Sequence, residues 1–219
     1  MSPTVKPLLC VPTVAKAIRE GLQTVDRRPL KEQPPEGFQL LVGHQHDEPH
    51  WRFSKGGKPA APEAALPWVE AKAPWRKGDI LWVRERARVV ALRHELTASG
   101  MACFVTLRYE ADGEERKDIL YPARLAEPVL GACIANGVHF EGARTWLKVL
   151  EVRPVLIQET TAEEALAEGC PRSEEYPLIW FRRLWERLYP DFPMYPGGWV
   201  WRTHFERCEK PEGVRARAA

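Results

Sequence analysis

Between Gly21 and Pro29 the chain must stop being helical and become extended, and this junction limits the folds open to it. Pro12 and Thr13 open a helix whose apolar face carries Val14, Ala17 and Ile18. Gly21 ends that helix, because without a Cβ it takes the positive φ of a helix stop at no steric cost. Pro29 pushes Arg28 away from helical geometry. The intervening Leu22-Gln23-Thr24-Val25-Asp26-Arg27-Arg28 is therefore a polar, extended segment ending in adjacent arginines. Guanidinium groups on a rigid segment behind a helix end suit an anion such as phosphate, and the competing reading is a solvated surface pair.

The rest of the chain reads mostly as strand. Leu8 to Val11 is a short buried strand, and Phe38 to Val42 with His50 to Phe53 form a hairpin across a polar tip. Residues 32–77 are rich in Pro and Gly and form an insertion, with a loose loop at Pro59-Ala60-Ala61-Pro62. Strands follow at Ile80 to Val83, Ala102 to Tyr109, Trp146 to Ile157 and Trp199 to Arg207. Thr161 and Glu164 make a capping box that opens a helix ending at Gly169. A further helix covers Pro177 to Leu188, with Leu178, Phe181, Trp185 and Leu188 inward. About six strands and about three short helices, not strictly alternating, predict an α+β fold: a small, bent barrel flanked by helices.

With 219 residues, 44% of them hydrophobic, the chain suits one domain over 1–208 with the insertion 32–77 and a polar tail at 209–219. It has no apolar run long enough for a bilayer and no secretory pattern at Met1 to Lys6, so no membrane association and a cytoplasmic location are expected. Its five cysteines are scattered, which argues against a disulfide framework or a zinc ribbon. A net charge of +2 excludes a broad electrostatic footprint for nucleic acid, leaving only local basic surface. The segment His44-Gln45-His46-Asp47-Glu48-Pro49-His50 offers metal-ligand types without a recognised spacing, so a solvated turn is preferred and no metal is assigned. No phosphate-cradling or dinucleotide glycine motif is present, and no cofactor is expected.

Several motifs, in order, carry a family likeness. They are Gly21-Leu22-Gln23-Thr24-Val25-Asp26-Arg27-Arg28, Gly78-Asp79-x-Leu81-Trp82-Val83-Arg84-Glu85 and Tyr109-x-Ala111-Asp112-Gly113. Glu163-Glu164-Ala165-x-Ala167-Glu168-Gly169, Phe181-x-x-Leu184-Trp185-x-x-Leu188-Tyr189 and Trp199-Val200-Trp201-x-x-x-Phe205-Glu206-Arg207 complete them. With these the chain resembles the ASCH-domain proteins, in the longer type common in phages and prophages. The resemblance implies a PUA-like β-barrel, related to RNA-binding domains, with a cleft lined by the post-helix segment and the helix bearing Glu168.

Small ASCH proteins of one branch are amidohydrolases that deacetylate acetylated cytidine with a Lys, a Thr and a Glu. On this chain the Glu position is Glu168, the Lys position is Gln23 and the Thr position is Asp26. Gln23 cannot act as a base or a cation, whereas Asp26 and Glu168 could form a carboxylate pair handling a water, with Thr24 as a nearby hydroxyl. The alternative for Glu168 is a helix-end carboxylate bonded to Arg27 or Arg28.

Ligand contacts are expected from Arg28, Arg27, Arg84, Gln23 and Trp82, against an alternative in which Arg84 pairs with Glu85 or Glu206. Trp82 and Trp201 either stack on bases or belong to the core. Cys170, beside the Glu168 helix end, is a candidate reactive thiol. The expected function is recognition of RNA or a nucleotide-like ligand. One alternative is a hydrolase acting on a modified nucleoside or on RNA, and another is a phage protein-interaction module using the insertion from Pro34 to Pro74.

Overall fold

The computed structural model describes residues 4–45, 48–55, 68–98, 100–134 and 136–212. In chain order the elements are β1 (Val5–Leu9), α1 (Pro12–Arg19), β2 (Val25–Pro29), β3 (Phe38–Gln45), β4 (Glu48–Lys55) and β5 (Trp68–Ala71). After these come β6 (Ile80–Arg84), β7 (Ala87–Thr97), β8 (Gly100–Tyr109), β9 (Glu115–Tyr121) and β10 (Trp146–Leu156). The chain closes with α2 (Ala162–Ala167), α3 (Pro177–Leu188) and β11 (Trp199–Cys208). The class is mixed α+β, mostly sheet with few helices.

Three sheets form, in the strand orders β1-β6-β10-β11-β2, β3-β4-β5 and β7-β8-β9. Among the described residues all three are open, each with two terminal strands, so the closed barrel predicted from the sequence is not seen. The strands also outnumber the about six that alternation suggests. Two of the strands missed, β7 and β9, have a physical reason. In β7 a bulge between Val89 and Ala91 breaks the two-residue period, and β9 is built largely from charged residues. The Pro59 to Pro62 loop lies outside the described residues.

The chain divides into two compact units. The first comprises Met1–Thr24, Gly78–Val149 and Phe205–Ala219. Here β1 runs parallel to β6, with Leu8 opposite Val83, and β10 begins antiparallel to β6, with Trp146 opposite Trp82. Leu81 and Val83 are fully buried, while Ile80, Trp82 and Arg84 lie on the half-exposed face, as strand alternation requires. The meander β7-β8-β9 packs Val89, Val105, Leu107, Tyr109 and Ile119 against Ile134 and Val138. Helix α1 ends as its sequence predicts. Gly21 has φ 75°, its N–H donates to Ile18 O at 3.0 Å, and Leu22 N–H reaches Ala17 O at 2.9 Å. Those paired bonds are a Schellman stop.

The second unit comprises Val25–Lys77 and Leu150–His204. In it β2 pairs antiparallel with the first part of β11, and β3-β4-β5 form a separate meander. Thr161 caps α2 with both bonds of the capping box present. The buried stripe of α3 is Phe181, Leu184 and Trp185. Leu178, expected inward, is 41% exposed. Phe181 and Trp185 pack with Ile157, Ala165, Met194 and Val200. Among the described residues no helix is long and apolar enough to cross a membrane.

Candidate functional site

The expected site residues divide between the units. Asp26, Arg27, Arg28 and Glu168 belong to the second, and Gln23, Thr24, Trp82 and Arg84 to the first.

In the second unit, the register of β2 against β11 sets the faces. Asp26 lies opposite Thr203 and Arg28 opposite Trp201, on one face; Arg27 lies opposite Arg202 on the other. Arg27 is 3% exposed; its Nη1 donates to Glu168 Oε1 at 2.7 Å, and its Nη2 forms an ion pair with Glu164 Oε2 at 2.8 Å. Its guanidinium lies 5.7 Å from the Phe181 ring. Glu164 is shared, since its other oxygen is held by Arg202, which also reaches Glu151 at 3.2 Å. Glu164, expected as the partner of Thr161 in the cap, fills that role while also bridging two buried arginines.

Glu168 is buried at the end of α2, and its desolvation pushes the carboxyl up to about 8 against the pull of Arg27. The charges of Asp26 and Glu164 push it the same way. Burial also pushes Glu164 up, but Arg27, the Thr161 N–H and Arg202 outweigh it, and the net direction is down. Neighbouring carboxyls are thus driven apart by their surroundings. Asp26 is held by Arg28 Nε at 2.7 Å, and the Arg28 guanidinium lies 5.4 Å from the Trp75 ring. Trp201 is buried and serves the core. Burial pushes the Cys170 thiol up, opposite to what a reactive thiolate needs.

In the first unit Gln23 is buried and Thr24 is exposed, its carbonyl accepting from Phe205 N–H at 3.0 Å. The two carboxylates expected from the sequence to neutralise Arg84 are engaged elsewhere. Glu85, fully buried, accepts from Arg144 Nε at 3.0 Å and Nη2 at 2.6 Å, and Glu206 lies 3.9 Å from Lys148. Arg144 also meets Asp112 at 2.9 Å and Glu114 at 3.1 Å, and sits 3.9 Å over the Tyr109 ring.

Arg84 therefore has no ion pair among the described residues. Its guanidinium lies 5.5 Å from the Trp82 ring, its Nε is buried without a hydrogen-bond partner, and burial lowers its pKa from the ordinary value. Trp82 in turn meets Phe140 edge-on at 6.1 Å, and Lys210 Nζ lies 5.1 Å from the Phe140 ring. Sequence reasoning missed His139 and Glu141, which flank Phe140; the one available signal was the Asn136-Gly137 turn pair before them. The side chains of His44 to His50 lie outside the described residues.

The chain matches no family model, and no characterised protein and no solved structure is significantly similar to it.

Proposed function

We propose that this protein is a PUA-like, ASCH-type module that binds RNA or a nucleotide-like ligand. The observation that carries the reading is Arg84, a guanidinium stacked on Trp82 with no carboxylate neutralising it among the described residues. A cation kept unneutralised on an aromatic, with Lys210 over the neighbouring Phe140, suits a base and its phosphate. Near-neutral net charge restricts such binding to a local site.

The test is fluorescence anisotropy of short single-stranded RNA at low and moderate salt, with duplex DNA as comparator. Saturable binding should weaken with salt, and Arg84→Ala should weaken it by about 10- to 100-fold, the loss of a hydrogen bond to a charged group. Absence of binding at either salt refutes the reading.

A second reading, a hydrolase acting on a modified nucleoside, is favoured by Glu168, a buried carboxyl held at about 8 and so able to give or take a proton near neutrality. Arg27 bonds that carboxylate directly, which suits a structural ion pair equally well. Under the hydrolase reading Glu168→Gln abolishes turnover of acetylated cytidine and keeps binding. Absence of turnover in the unmodified protein refutes it.

A further inference from the structure

The loop that follows the Asn136-Gly137 turn is anchored to the end of β6 by its main chain. Asn136 and Gly137 both have left-handed backbones, φ 57° and 80°. A Cβ on Gly137 would lie 2.9 Å from both Arg84 O and Glu85 O, so the loop's backbone runs directly against that strand. Val138 N–H then donates to Glu85 O at 2.8 Å. This fixes His139, whose ring meets Tyr121 edge-on at 5.3 Å, and the 3-10 turn Phe140–Gly142, whose Phe140 meets Trp82. Arg84 is thereby carried on a strand end, and His139 and Glu141 on the loop packed against it, with Trp82 and Phe140 in contact between them. Arg84 Nε, His139 Nε2 and Glu141 Oε2 are each buried without a hydrogen-bond partner.

The set is chemically selective. Glu141 opposes a bare phosphate, and Arg84 opposes a metal cation. What fits both is a planar, uncharged group presenting donors to the carboxylate and an acceptor to the guanidinium. Burial and the charges of Arg84 and Arg124 lower the His139 pKa against the pull of Glu141, so a neutral imidazole is available to complete the edge. Among nucleobases only guanine places two adjacent N–H donors, N1–H and N2–H, beside an acceptor, O6. In a duplex that edge is occupied, so the ligand is single-stranded or a free nucleotide.

Resting on the RNA reading above, we propose that Arg84, His139 and Glu141 form a guanine-reading site. Glu141 accepts from N1–H and N2–H, and Arg84 donates to O6. Arg124, exposed nearby, supplies a cation for the phosphate.

The experiment titrates the full chain with labelled heptamers UUUNUUU, where N is G, A, C, U or inosine, and repeats the series with Glu141→Gln. The G heptamer should bind at least about tenfold tighter than the others, and inosine, which lacks the N2 amino group, should lose most of that advantage. Glu141→Gln should abolish the preference of G over the other heptamers. Inosine probes the unaltered protein, so the test stands even if the variant misfolds. Equal binding of all five heptamers that still weakens in Arg84→Ala overturns the guanine site and leaves RNA binding standing. Binding of none, and of GMP neither, overturns both.

Discussion

Arg144→Met removes the cation that, among the described residues, pairs with the fully buried Glu85, and leaves an uncharged side chain with an apolar stem in its place. Glu85 is then left as a desolvated carboxylate, and breaking a buried pair from one side costs about 3–5 kcal/mol. The contacts to Asp112 and Glu114 add little, because both carboxylates are partly exposed and hydrate when released. Glu85→Gln is milder, at about 1–2 kcal/mol, since the amide oxygen still accepts one bond and Arg144 keeps its other carboxylates. Combining the two changes removes the stranded charge, so the double variant should be about 2 kcal/mol more stable than Arg144→Met alone. Urea unfolding followed by tryptophan fluorescence measures this. With a slope of about 2–3 kcal/mol per molar urea, Arg144→Met should lower the midpoint by about 1–2 M. A loss under about 1 kcal/mol in Arg144→Met, or strict additivity in the double variant, refutes the argument that this pair holds the end of β6.

Other outcomes follow from single sites. Gly137→Ala forces a Cβ against two backbone carbonyls at positive φ, and should lower Tm by about 3–8 °C in a thermal melt. Thr161→Ala removes the cap of α2 and should cost about 1 kcal/mol by urea unfolding. Glu168 gives a pH signature. Its folded pKa of about 8 lies above the ordinary 4.5, so between those values the folded state keeps a proton that the unfolded state releases. Its contribution to stability is complete below about pH 4.5 and is lost as pH rises towards 8; Glu168→Gln should flatten the stability profile over that window, and an unchanged slope refutes the shift.

What could be read from the sequence was local. The Gly21 stop, the Thr161 to Glu164 cap and the span of α3 each rest on residues within one or two turns of each other. The pairing of Arg27 with Glu168 was one of two readings left open, because the resemblance implied a cleft with both residues beside it. Arg84 with Glu85 was the natural pair by adjacency, yet neighbours in a strand point to opposite faces. The true partner, Arg144, lies 59 residues away, where only the folded chain brings it near. His139 and Glu141 carried no recognisable spacing, since their meaning comes from the strand end they are packed against. Of the missed strands, β7 and β9 failed for a different reason: a bulge in β7 and charged residues in β9 hide a two-residue period that the ladder nevertheless makes.

The hold on Gly137 and Val138 at the start of the segment after Asn136 runs through the main chain, by the bare Cα of the one and the amide of the other. That hold does not depend on which side chains stand at 139 and 141. A descendant that keeps the Asn-Gly pair can exchange the residues at 139 and 141 and present a different chemical edge on the same path. Under the proposed guanine site, ligand choice becomes a trait that drift, or an engineer, rewrites at two positions while the scaffold stays as it is.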